Sequence, residues 1–581
     1  MNLFRNLFLS DHTQSLKHPA DTLHDQVLAI QGLQYNCLHP RFCRDLSLRL
    51  RLSLRLRLRL RLSLRLRRCI RSSQLVDHVR DVLLEGSPRR VEKDLTLCIA
   101  PECVVELVQQ SSLRILCLNS NGITPQGQIW LDDLLEDQLQ FASRLIEAEL
   151  PAQGSLQLMR MCMLPKMTHF ARVTPPSISV PTTASFDKIV METAKTVLGL
   201  PDNINKHAVS QMRLPVKMGG LGLREVAETA KIAYFASLMQ SQTLLASTEQ
   251  APLDVSECVR PDRVDASIAA FRDAVPKLKQ FIGEGTERPS EYAAQRNTYK
   301  LQEKMEEALD EYRLSQLSTQ LDELETQARD EARLRISCAR SKEASFFFQP
   351  NTASPPHATT FAQALHQRLG LIRQPRHGFE CKSKAGTCET VQSAQALSCM
   401  AVAHMVTHRH NLIRDDLQRY LTKLGCAAIK EPRHMSLEDG KRVDILTTIA
   451  GIDYVVDITV TNPYTEASVE KEKASVFKTP ELQCIKARER TKASKYADIA
   501  HANNATVVPF VVTVDGVLGE RALSFIDKLA KVHAGTVAEW QVETVRAALV
   551  SCVLKALMHG NRMILDAHDT LLFSAEPHER A

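Results

Sequence analysis

The sequence predicts a multidomain protein, mainly α-helical through its N-terminal and central parts and α/β near its C-terminal end. Three observations carry this. From about Val76 to Gln242 apolar residues recur at three- and four-residue steps, as amphipathic helices require. From Asn411 to Gly535 helical patterns alternate with short β-branched runs, the mark of a sheet layered with helices. Two of those runs carry an isolated aspartate each, Asp444 and Asp457, followed a helix later by Lys492, Lys495 and Tyr496.

In chain order, the first 75 residues differ from the rest. Between Leu46 and Arg68 leucine alternates with arginine or serine, with every leucine on an even number. An extended strand of this pattern is apolar on one face and cationic on the other. It reads either as a basic arm for nucleic acid or anionic lipid, or as a translated simple repeat without structure. The formal charge of +6 comes from this region: Arg41 to Arg71 holds twelve arginines and one aspartate, leaving the remainder near −5. Any nucleic-acid surface elsewhere must therefore arise from local clustering.

The helical part comprises 129–150, 156–176 and 186–201. The second of these is interrupted at Pro165 and stopped by Pro175 and Pro176; the third is closed by Gly199 and Pro201. A glycine-rich turn, LPVKMGGLGL, then leads into an alanine-rich helix. Residues 297–343 are heavily charged with acid–base pairs at helical spacing, which predicts a solvated spacer or packing arm. Boundaries fall at about 75, 245, 345, 410 and 535. The segment 346–410 is rich in cysteine and histidine, and 536–581 is one amphipathic helix with no evident task. Fifteen cysteines at irregular spacing predict reduced thiols and a nuclear or cytoplasmic location. The opening residues lack a signal-peptide pattern, and no uninterrupted apolar run approaches the ~18 residues of a membrane span.

The α/β part predicts a helix at 411–425, strands at 427–433, 442–450, 453–462 and 506–516, the end of a helix at 494–503 and a closing helix at 520–535. Asp444 and Asp457 are separated by twelve residues, which fits a hairpin turning at Ala450 and Gly451. Val455, Asp457 and Thr459 share one strand face. An aspartate among β-branched neighbours is costly to bury unless its charge is compensated. A divalent cation shared with Asp444 would do so, and a nearby lysine would complete a site that hydrolyses phosphodiesters. The competing reading is an ordinary half-buried sheet with exposed aspartates and lysines on a solvated helix.

In their order, several landmarks over about 120–535 resemble the C-terminal part of polyproteins from non-LTR retrotransposons with a restriction-enzyme-like endonuclease. MLPKMTHFARVTPP and LPVKMGGLGLREVAETAKIAYFASL look like the thumb and following region of those reverse transcriptases. FAQALHQRLGL, ALSC and RHNLIRDDL look like their cysteine–histidine knuckle and the helix after it. EPR, RVDIL, VVDITVTNP and KASKY look like the endonuclease core. The resemblance implies a PD-(D/E)xK nuclease fold that nicks target DNA, with Asp444 and Asp457 as magnesium ligands. The lysine role would pass to Lys492 and Lys495 with Tyr496 beside them, and Glu431 would be an additional acid. It also implies a possible zinc knuckle of Cys381, Cys388, Cys399 and His404, with His408 and His410 close by in sequence. Three positions depart from the pattern: Val443 replaces a proline, Thr459 a lysine and Gln395 a histidine. The Asp-Asp pairs, Asp132–Asp133 and Asp415–Asp416, sit in helical contexts unsuited to a polymerase hairpin. The expected protein is thus a truncated element product that binds target DNA, and element RNA as a further partner, without reverse transcription. Oligomeric state stays open.

Overall fold

A computed structural model describes residues 125–246, 268, 270–282, 299–349, 356–371, 382–383, 386–387, 396–435, 442–465, 468–469, 472, 474–478, 481–534 and 539–573. All of them belong to one packing unit. The Leu/Arg repeat, Cys381, Cys388 and Gln395 lie outside the described residues. The described part is mostly helical with one small four-stranded mixed sheet.

The predicted amphipathic stretches form α1 (Pro125–Glu147), α2 (Ala152–Leu158), α3 (Leu164–Val173) and α4 (Pro176–Leu198). The regular α ladder is interrupted ahead of Pro165: a π turn at Met159–Met163 joins α2 to α3, and Pro165 falls in the first turn of α3, where a missing N–H is tolerated. Pro175 and Pro176 do separate α3 from α4, and Gly199, at φ 63°, caps α4 in the left-handed conformation. α5 (Lys206–Arg213) and α6 (Val226–Ala246) flank the glycine-rich turn. Gly220 is obligatory there, because a Cβ would lie 2.0 Å from the Leu214 carbonyl oxygen. The turn's carbonyls are satisfied from afar: buried Arg368 donates to Gly220 O and Val216 O, at 3.2 and 2.9 Å.

The charged stretch 297–343 is not a solvated spacer. It forms α7 (Leu301–Leu321), α8 (Thr326–Ala339) and α9 (Lys342–Phe346), with Leu309, Leu317, Leu321, Leu334 and Ile336 buried. Its charges serve the packing: Asp310, 1% exposed, is paired with both Arg224 and Arg313. Helical spacing of charges cannot distinguish a pair facing water from one facing another helix; of the two roles expected, the packing arm is the one the structure shows, and the solvated face is not.

After α10 (Ala358–Leu369) and α11 (Ala403–Lys423) comes the sheet: β1 (Ala427–Lys430), β2 (Ile445–Ile449), β3 (Ile452–Thr461) and β4 (Ala505–Thr513). Spatial order follows chain order; β1, β2 and β3 are antiparallel neighbours, and β4 runs parallel to β3. The β2–β3 turn is the predicted Ala450–Gly451 pair, with φ of 52° and 77°, both positive as a two-residue hairpin loop requires. Pro509 sits in β4, an edge strand, where a missing donor is tolerated. α12 (Gln483–Lys495) and α13 (Ala497–Ala502) connect β3 to β4, and α14 (Glu520–Ala534) follows.

The final helix, α15 (Glu539–Phe573), is a central element rather than a tail. It packs along α11 and also against α9, α10 and α14. Gln541–Thr570 is the one described helix long and apolar enough to cross a membrane, yet 67% of its apolar window is buried by these neighbours. Gly560 permits the closest approach: a Cβ there would lie 2.4 Å from Arg409 Cγ on α11. Arg409 donates to Asn561 Oδ1 at 2.9 Å, and Asn561 Nδ2 donates to Val514 O at 2.7 Å. One apolar cluster runs from Leu131 to Met558, so packing crosses the boundaries at 410 and 535.

Candidate functional site

The hairpin register decides how the two aspartates meet. Ile445 pairs with Val456 across the antiparallel ladder. Carried one residue further, that register sets Asp444 opposite Asp457, and directly opposed residues of antiparallel strands face the same side. Asp457 is 3% exposed and Asp444 9%. The Asp444 carboxylate folds back onto the strand end: Oδ2 accepts from Ile458 N at 2.7 Å. Asp457 Oδ2 receives the Lys492 ammonium at 2.8 Å and the Thr459 hydroxyl at 3.4 Å. Each carboxylate is therefore clamped through one oxygen, while neither Oδ1 accepts a hydrogen bond among the described residues.

The remaining predicted residues divide. Tyr496 is buried against Val443, Val455 and Met435, and so seats the lysine helix on the sheet beside Asp444. Val443, where the pattern has proline, contributes apolar packing to the same cluster. Lys495 does not join the carboxylates; its ammonium lies over the Tyr496 ring, 5.0 Å from the centroid. Glu431, with φ 45°, donates its N–H to Asp444 O at 3.0 Å, continuing the β1–β2 pairing. Its carboxylate is bound to Arg414 of α11, which also holds Asp415 at 2.9 Å.

One participant was placed elsewhere by sequence reasoning. His410, which sequence proximity puts near the cysteines, turns from α11 onto the sheet. Its Nε2 lies 3.1 Å from Asp444 Oδ2 and 3.1 Å from Ile458 O. Both are acceptors, so Nε2 carries a proton in either charge state. Burial pushes the imidazole pKa down, but the hydrogen bond to Asp444 and its charge outweigh this and hold it above the ordinary histidine value. No spacing rule links position 410 to 444; the neighbouring Arg409–Asn561 bond orients that turn of α11.

The knuckle expectation finds no assembled counterpart among the described residues. Cys399 is buried in an apolar cluster with Leu397, Val402 and Ile564, while His404 and His408 are exposed on α11. Cys381 and Cys388 lie outside the described residues. Among the described residues no three His, Cys, Asp or Glu side chains gather as a metal cluster; Asp444 and Asp457 are a pair. That pair fits a hard divalent cation in its donor chemistry, since such ions take a few carboxylates and fill the rest of the shell with water.

A scan of family models finds no match to this chain, and no curated protein is similar to it. Function is therefore read from the site itself.

Proposed function

We propose that this protein is a magnesium-dependent DNA endonuclease of retroelement origin, with a PD-(D/E)xK-type core formed by α11, β1–β4, α12 and α13. The observation that carries the reading is the Lys492–Asp457 contact opposite Asp444. Solvent-facing lysines would have left only a scaffold. The order helix, antiparallel hairpin, helix, parallel strand supports the same reading, as does the burial of KASKY's tyrosine beside the acids.

Asp444 and Asp457 would hold the cation, which when bound would polarise a phosphate and acidify a water. The chain's own groups prepare for this. Ile458 N and His410 fix Asp444, so its second oxygen needs no reorientation on binding. Lys492 places a positive charge at Asp457, where it offsets charge building on a scissile phosphate and can hold the attacking water. Tyr496 keeps that helix in register without touching the reacting atoms. Target DNA is the substrate of this reading, and element RNA a further partner.

Nicking of supercoiled plasmid with magnesium tests it, comparing wild type with Asp457→Ala. Nicking by the wild type and its loss in the variant is expected. Equal nicking by both would place the activity elsewhere, and binding without nicking would leave an inactive nucleic-acid-binding remnant.

A further inference from the structure

α12 has two basic flanks. Lys492 lies about 200° around the helix from Arg490, so the flank facing Asp457 and the flank bearing Lys486 and Arg490 look in opposite directions. Lys486 and Arg490, at i and i+4, form one wall of an open groove of about 670 Å³. Arg521 and Lys528 of α14 form the facing wall, and the floor is Tyr454 of β3 with Thr506–Val508 of the edge strand β4. Two acids adjoin it. Glu489 is buried and spent on the fold: its Oε1 accepts the Arg521 N–H at 3.0 Å, capping α14. Glu520 is exposed.

The cations are available. Lys486 pairs with Glu481 at 2.9 Å, but that pair is solvent-exposed and exchanges readily for another anion. Lys528 lies 4.9 Å over the Tyr454 ring. Arg490 and Arg521 are exposed and make no ion pair among the described residues. The Glu489 carboxylate offsets part of the Arg521 charge, but the four cations of the walls still outnumber the two acids, and the guanidinium fork suits phosphate. Tyr454 and Phe525 are buried, so no aromatic face is offered for stacking a base.

We propose that this groove binds the sugar-phosphate backbone of a nucleic-acid strand, without base preference, on the side of α12 away from the aspartates. The choice of nucleic acid over an acidic protein rests on the endonuclease reading. The test is fluorescence anisotropy of the full chain with a labelled oligonucleotide, single-stranded or duplex, in EDTA. Wild type, Arg490→Glu/Arg521→Glu and Arg490→Gln/Arg521→Gln are compared across salt. The double variants are expected to weaken binding by about tenfold or more and to lower the salt slope by about two, one per phosphate contact. The Arg41–Arg71 segment contributes equally to all, so hydrogen exchange supplies the local readout: oligonucleotide should protect 505–508 and 520–528 in wild type alone. Unchanged affinity and slope in double variants that melt like wild type would overturn the proposal. Displacement of the oligonucleotide by polyglutamate at equal charge would also overturn it, assigning the groove to an acidic protein. Groove binding without any nicking would sink the nuclease reading and leave the groove standing.

Discussion

Lys492→Met removes the charge that compensates Asp457 while keeping most of the lysine stem. The side chains of the pair are 4% and 24% exposed and 2.8 Å apart. Breaking a buried ion pair from one side costs about 3–5 kcal/mol, because the stranded charge keeps its desolvation penalty. Lys492 retains a quarter of its surface in water, which puts the expected loss at the lower end, about 3 kcal/mol. With an unfolding entropy of about 2.1 cal/mol/K per residue over roughly 400 cooperative residues, this lowers Tm by about 4 °C in EDTA. Asp457→Asn/Lys492→Met should recover most of the loss, giving a coupling energy of about 2–3 kcal/mol. Magnesium should raise the Tm of Lys492→Met more than that of wild type, since a cation there replaces the missing charge. The assay is calorimetry or circular dichroism melting of all four proteins of the cycle, with and without magnesium. A coupling energy below about 0.5 kcal/mol would mean that the pair is not formed, and the site geometry would be refuted. Equal magnesium shifts in wild type and Lys492→Met would refute the placement of the cation at Asp457.

Two further outcomes follow from the packing around the site. His410→Ala should raise the magnesium or manganese concentration needed for half-maximal binding by about 10–100-fold, with His410→Gln, which keeps a donor, recovering part of it. Manganese titration by electron paramagnetic resonance reads this directly, and equal affinities in all three would remove His410 from the site. Gly560→Ala should force α11 and α15 apart, because the new methyl would meet Arg409 Cγ at 2.4 Å and its Cα at 2.9 Å. The expected destabilisation is about 1–3 kcal/mol, as for other overpacked contacts, and an unchanged melting curve would contradict the helix contact.

The local features of this protein are legible in its sequence. Alternating β-branched residues mark β2 and β3, the Ala450–Gly451 turn pins their register, and that register alone brings Asp444 opposite Asp457. Gly199 and the Pro175–Pro176 pair mark helix ends because their backbone constraints act on neighbouring residues. Long-range packing made the other choices. Lys492 and Lys495 are equivalent by sequence, yet only Lys492 reaches Asp457, because the burial of Tyr496 sets the rotation of α12. Glu431 is bound by Arg414, and His410 joins Asp444 because Arg409, Gly560 and Asn561 fix α11 against a helix that sequence reasoning left without a task. Likewise Asp310 looks solvated until Arg224, 86 residues away, buries it. Backbone periodicity is written over a few residues, whereas the partner of a charge depends on which helix faces it, and only the tertiary structure supplies that.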